Sequence, residues 1–232
     1  MANPTFICLL LNNRIAKYFL FLIIAFTCFS LKAQLHSASG FLNITDLKDS
    51  STLRKSLDEK IQAGFQNSRS KPVDFISKYF ISPWGNGLYS LPALGSIYLY
   101  GNANNDKQSK DAAIHGFESF LFTAFTTSIL KLSFHRRRPC ETDPPNSGIW
   151  DGPSFKRKYV SFPSGHTSSI FSIATLLVSE YKGKPAVAVI SYSIAGLTAL
   201  SRIYENKHWF TDVVAGAVLG FVCGKLIYQL NK

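Results

Sequence analysis

Residues 201–212 read Ser-Arg-Ile-Tyr-Glu-Asn-Lys-His-Trp-Phe-Thr-Asp, and the apolar run that follows to residue 230 carries a single charge, Lys225. A helix that begins near His208 stacks His208 and Asp212 on one face, because residues four apart lie one above the other. The same face continues at the same period through Gly216, Gly220 and Gly224. Small residues in that spacing let a second helix backbone approach closely, in lipid or in a soluble core. The face bearing His208 and Asp212 therefore points into a bundle. A carboxylate so placed accepts from one imidazole nitrogen and leaves the other free as a nucleophile. Alone, the pair reads equally as a cap at a helix start.

Upstream, Pro163-Ser164-Gly165-His166 stands just before the helical run Thr167–Leu177. Ser164 is a natural helix cap, and Gly165 allows close backbone approach. Exposed N–H groups at a helix amino terminus suit a phosphate. A simple turn with an exposed His166 explains the same residues. Further upstream, Lys131 closes an apolar helix, and His135-Arg136-Arg137-Arg138-Pro139 follow. By itself that basic run is a solvated or lipid-facing edge.

The remaining pattern is helical. Leu53, Leu57, Ile61 and Phe65 recur every four residues, and apolar runs cover about 111–134, 165–181, 185–200 and 209–230. Two further apolar blocks, Asp74–Phe80 and Leu88–Tyr100, are separated by Pro83, Gly85 and Gly87, and a polar stretch fills Gly101–Asp111. Alternating strand patterns are scarce. The fold class is all-α, a helical bundle with its site at helix ends. Charge-free windows of 12 residues after Glu118 and 13 after His166 fall short of the roughly 20 that a clean membrane span needs. They suit a buried helix as well as a membrane one; the reading taken is a domain on or partly in a membrane.

The chain has 232 residues and a formal net charge of +11, which points to an anionic partner: nucleic acid, a membrane surface or a phosphorylated substrate. Its 19 Phe and 10 Tyr exclude intrinsic disorder, and its 4 Cys exclude a disulfide scaffold. Residues 1–33 hold Arg14, Lys17 and Lys32 and no acid, around the uncharged run Tyr18–Leu31. That length suits a signal peptide, with Leu31 and Ala33 placed for cleavage before Gln34. An uncleaved anchor helix is the other reading. Cleavage leaves 22 basic residues against 14 acidic, so the basic bias belongs to the working domain. It also leaves Cys140 and Cys223, read as free thiols. The expected organisation is a signal segment at 1–33, a polar helical segment at 34–70 and a catalytic domain at 71–232. Export to a bacterial-type cell envelope, facing the periplasm, sets nucleic acid aside as a partner.

Lysine with Arg-Pro, then Pro-Ser-Gly-His, then Ser-Arg with His and Asp, in that order, resembles the type 2 phosphatidic acid phosphatase and vanadium haloperoxidase superfamily. The motifs fall at Lys131/Arg138/Pro139, Pro163–His166 and Ser201/Arg202/His208/Asp212, and the resemblance covers roughly 75–230. It implies an all-helical phosphatase of lipid or small phosphate esters that uses no metal and no cofactor. His208 would attack phosphorus and form a phosphohistidine, and Asp212 would hold its tautomer. His166 would protonate the leaving oxygen and then activate water. Lys131, Arg138 and Arg202 would clamp the phosphoryl oxygens, with Ser164 and the Gly165 backbone completing the cradle. Such a pair, His208 neutral and His166 protonated, gives a bell-shaped pH profile.

Arg136, Arg137, Lys156, Arg157 and Lys158, on the long 135–163 connection, are expected to meet a second phosphate or an anionic headgroup. Two alternatives stand beside the phosphatase. One is a vanadium haloperoxidase on the same fold, with His208 as the vanadate ligand. The other is a non-enzymatic basic envelope protein that binds lipid headgroups, which would leave His166, His208 and Asp212 unexplained. A clamp for one phosphoryl group fits phosphatidic acid, a lipid pyrophosphate, a lipid A phosphate or a small monoester alike. Neither the substrate nor the oligomeric state is written in the chain.

Overall fold

The computed structural model describes residues 56–154 and 160–232, and no β-strand occurs among them. Seven α-helices do: α1 (Leu57–Asn67), α2 (Lys71–Ile76), α3 (Ser90–Ala103), α4 (Lys107–Phe134), α5 (Gly165–Glu180), α6 (Pro185–Tyr204) and α7 (Phe210–Leu230). A π-helical turn, Ser77–Ile81, and a 3-10 turn, Ser82–Trp84, connect α2 to α3. The all-α expectation holds.

Helix starts follow local chemistry. Ser56 and Glu59 close a reciprocal capping box on α1. Asp106 accepts from the backbone N–H groups of Gln108 and Ser109 and starts α4 four residues ahead of the expected 111. The polar stretch 101–111 is therefore two helix ends around a short turn. α4 ends where His135 takes a left-handed conformation, φ 43°. Ser164 is the N-cap residue of α5, but its hydroxyl makes no capping bond; fully buried, it accepts from Thr167 Oγ1 at 2.9 Å.

α5 is the centre of the bundle and packs against α4, α6 and α7. The glycine stripe of α7 does what its spacing requires. A Cβ on Gly216 would fall 2.6 Å from the Ser164 carbonyl oxygen, one on Gly220 would fall 2.2 Å from that of Ser168, and one on Gly224 would fall 2.5 Å from that of Ser172. The two ladders climb together in steps of four, so α5 and α7 run parallel. α4 runs antiparallel to α5, with Thr127 bonded to Ser168 at one end and His115 to Glu180 at the other.

The interior of this bundle is rich in hydroxyls. Ser119, Thr123, Ser168, Ser172, Thr175 and Thr198 are fully buried or nearly so. Outward-facing positions are apolar instead: Leu121, Phe125, Ile129, Leu197, Val218 and Phe221 are all exposed. α6 and α7 are each long and apolar enough to cross a membrane, with mean hydropathy 1.5 and 1.8.

Residues 55–232 form one compact unit. α1, placed by sequence in a separate 34–70 segment, belongs to it: Gln62 donates to the Ile203 carbonyl and Gln66 to that of Tyr204. Cys140 is exposed and Cys223 buried, both as free thiols. The expected signal segment, and Lys156, Arg157 and Lys158, lie outside the described residues.

Candidate active site

One end of the bundle gathers the amino termini of α5 and α7 and the carboxyl termini of α4 and α6. The arrangement is a direct consequence of the parallel α5–α7 pair. Two helix amino termini present partial positive charge at the same place. His166 is the second residue of α5, and His208 lies two residues before α7. Lys131 and Arg202 come from the last turns of α4 and α6, where a cation complements the negative helix end.

Lys131, Arg138, Arg202 and His208 all stand within electrostatic reach of His166. Gly165 lies 3.6 Å, from where its Cβ would be, to the Lys131 side chain. The motif residues named from sequence thus lie at one end of the bundle. Buried donors without a protein partner point to a ligand: Arg138 Nε and Arg202 Nε are both in that state. Lys131 Nζ donates to the Val160 carbonyl at 2.5 Å.

His208 is buried, and that burial, with Lys131 and Arg202 nearby, lowers its pKa to about 3 against the pull of Asp212. The ring is therefore neutral at pH 7, as a nucleophile must be. Asp212 holds it less directly than sequence spacing predicts. His208 Nδ1 and Asp212 Oδ2 are 3.8 Å apart, and the hydroxyl of Ser161, to one side, is within hydrogen-bond distance of both. Asp212 Oδ2 also accepts from the Trp209 N–H, which caps α7, and its carbonyl accepts from the Ser164 N–H at 3.0 Å. One residue so ties the Pro-Ser-Gly-His loop to the His208 segment.

Several site neighbours escape sequence reasoning. Ser82 accepts from Arg202 Nη1 at 2.5 Å, and Glu205 pairs with the same nitrogen at 2.8 Å. Gly85 lies against His166, whose Cβ would be 2.6 Å from a Cβ at that glycine. Ser82 and Gly85 arrive from the punctuated stretch before α3, where Pro83 and the glycines signal a turn but nothing signals its address.

The basic connection is the clear correction. Arg136 and Arg137, expected to face a second phosphate or a headgroup, are committed within the protein. Arg137 pairs with Asp151 at 3.0 Å. Arg136 is buried and bonded to both Asp58 and Asp212. Two buried carboxylates and a helix start claim its charge before any ligand does.

Comparison with known proteins decides the family. Residues 113–232, just over half of the chain, match the model of the PAP2 superfamily. The chain belongs to the PAP2 superfamily. The matched PAP2 region contains Lys131, Arg138, Ser164, Gly165, His166, Arg202, His208 and Asp212, while α1, Ser82 and Gly85 precede it. Among curated PAP2-type relatives, the lipid A 1-phosphatase of Porphyromonas gingivalis is 43% identical over 72 residues, covering 31% of this chain and 16% of that protein. A PA-phosphatase related-family protein of Dictyostelium discoideum is 32% identical over 154 residues, covering 61% of this chain and 56% of its own. The chain thus spans little more than half the length of the one and a small part of the other. The PAP2 fold recurs in solved structures. A transmembrane PAP2 type phosphatidylglycerolphosphate phosphatase from Bacillus subtilis superposes with a TM-score of 0.60 at 22% identity, covering 91% of this chain and 94% of that one. LpxE of Aquifex aeolicus superposes with a TM-score of 0.54 at 21% identity, covering 76% and 97%.

Proposed function

We propose that this chain is a phosphatase that removes a phosphoryl group from a lipid phosphate or pyrophosphate, without a metal, through a phosphohistidine on His208. The observation that carries the reading is the convergence of Lys131 and Arg202 on the buried, neutral His208, with Arg138 beside them at His166. Arg138 and Arg202 are fixed cations; Lys131, lowered to about 7 by burial and by those arginines, gains its full charge when a phosphoryl dianion enters, and charge stabilisation with positioning dominates phosphoryl transfer. Ser161 and Asp212 occupy the Nδ1 side of His208, which leaves Nε2 to attack phosphorus. Asp212 then stabilises the ring as it gains positive charge. His166, expected to start protonated, is instead pushed down to about 3 by burial and the same cations; a bound phosphoryl dianion offsets those charges, and His166 then donates a proton to the departing oxygen and afterwards takes one from water. The N–P bond formed in the first step breaks in the second, releasing inorganic phosphate.

A lipid substrate fits the exterior. Large apolar side chains cover the outside while the interior mixes buried hydroxyls with aliphatic residues, and close glycine packing holds helices together where lipid surrounds them. The bundle is read as membrane-associated, with its site at one membrane face and export placing that face toward the periplasm. The lipid phosphatases among its relatives support the same substrate class.

Hydrolysis of p-nitrophenyl phosphate and of a panel of lipid phosphates and pyrophosphates in detergent tests the proposal. Wild type is expected to be active with a chelator present and inhibited by vanadate, and His208→Ala inactive. Activity that His208→Ala retains would overturn it.

A further inference from the structure

α1 lies outside the matched PAP2 residues, yet it reaches the base of the site. Asp58, in its first turn, is 5% exposed and accepts three hydrogen bonds. Oδ1 accepts from the Thr211 N–H at 2.9 Å; Oδ2 accepts from the Thr211 hydroxyl at 2.6 Å and from Arg136 Nη2 at 2.7 Å. Arg136, 4% exposed, uses all five of its donors. Nη1 donates to Asp212 Oδ1 at 2.5 Å and to Thr211 Oγ1 at 2.7 Å. Nε and Nη2 both donate to the Ser147 carbonyl, at 3.1 and 2.9 Å. The rings of Trp150 and Trp209 lie 4.8 and 5.6 Å from the guanidinium carbon, and hold the plane of the fork.

The chain of contacts runs Asp58, Arg136, Asp212, Ser161, His208. Only His208, at its end, faces substrate, and every member before it is bonded within the protein. Arg136 would leave Asp212 with excess positive charge beside it were Asp58 absent, and would draw that carboxylate away from His208. Asp58 balances the guanidinium and pins the first turn of α7 at Thr211, next to Asp212. Only a planar fork can bridge two carboxylates, a hydroxyl and a carbonyl at once.

We propose that Asp58 and Arg136 are positioning residues for the His208–Asp212 pair, so that the α1 segment ahead of the family motifs sets the efficiency of phosphoryl transfer. The proposal rests on the phosphohistidine reading above. Its effect falls on the chemical step and spares the phosphate clamp formed by Lys131, Arg138 and Arg202.

The test uses the full chain in detergent, with p-nitrophenyl phosphate as substrate and inorganic phosphate as competitor. Asp58→Asn keeps the shape and removes the charge; Arg136→Lys keeps the charge and removes the fork. Each is compared with wild type and His208→Ala, on monodisperse protein of measured thermal midpoint. A misplacement of about 1 Å can cost about a hundredfold in rate. The expected result is a ten- to hundredfold fall in kcat in folded Asp58→Asn, with KM and the phosphate inhibition constant within about twofold. A lower thermal midpoint with wild-type kcat would show a merely structural role and overturn the proposal. If Asp58→Asn does not fold, the same measurements on Arg136→Lys decide, wild-type kcat again overturning it. Activity surviving in His208→Ala would instead bring down the functional reading beneath it, and the two failures are distinct.

Discussion

Ser161 bridges His208 and Asp212. Its hydroxyl donates to Asp212 Oδ2 at 2.5 Å and lies 3.4 Å from His208 Nδ1, while the carboxylate and the ring stand 3.8 Å apart. The tautomer of His208, the proposed nucleophile, is therefore set through a hydroxyl as well as by charge. Ser161→Ala should lower kcat about ten- to hundredfold, the weight of one hydrogen bond to a charged group, about 1.5–3 kcal/mol. KM should change little, because Lys131 Nζ meets Ser161 only at its backbone carbonyl, which the substitution keeps. Steady-state kinetics on the purified variant check this, and an unchanged kcat would contradict the bridge.

Gly85 gives a second, independent handle on the site. A methyl group there meets His166 at Cβ, Cα and carbonyl oxygen, all within 2.8 Å. Gly85→Ala must push the start of α5 aside, and a loss of at least about tenfold in kcat is expected from the displaced histidine. Gly95→Ala, on α3 with nothing within 4 Å of the new methyl, should leave kcat as it is.

The same contrast appears in stability. Gly220→Ala places a methyl 2.2 Å from the Ser168 carbonyl oxygen, and overpacking of this kind costs about 1–3 kcal/mol. Gly95→Ala removes a helical glycine into open space and should gain about 0.5–1 kcal/mol. Thermal midpoints in detergent should move in opposite directions. A Gly220→Ala protein as stable as wild type would mean that α5 and α7 are not in close contact.

Burial of His208 has a pH signature. Its pKa falls from 6.5 to about 3 in the folded chain, chiefly through desolvation. Between those values the unfolded chain binds a proton that the folded one refuses, so stability rises with pH across the window. The contribution is fully present above about pH 6.5 and is lost as pH falls toward 3. Thermal midpoints from pH 7.5 to 4 should fall more steeply for wild type than for His208→Gln. Parallel slopes would place the proton elsewhere.

What the chain disclosed in advance depended on whether the information was periodic or addressed. The stripe Asp212, Gly216, Gly220, Gly224 is periodic, and its packing on Ser164, Ser168 and Ser172 follows from spacing alone. The three motifs are dense in uncommon residues, so their convergence was legible too. Arg136 shows where reading stopped. A cation in a basic run looks the same whether it faces water, a ligand or two buried carboxylates, because its partners lie 78 and 76 residues away. Membrane character was equally opaque, since counts of apolar residues do not tell which side of a helix they occupy. Serine and threonine inward with phenylalanine and leucine outward is a property of orientation, and only the packed bundle displays it.

The bond from Asp58 to Thr211 spans 153 residues. Asp58 leaves the ribosome before Arg136 and His166, and His208 with α7 follows them. Under the proposed mechanism, a chain that has not yet reached α7 holds its phosphate clamp without its nucleophile. Docking α7 along α5 seats Asp212 on Arg136 and joins Thr211 to Asp58. A polypeptide cut short before α7 is then expected to be inert toward phosphate esters.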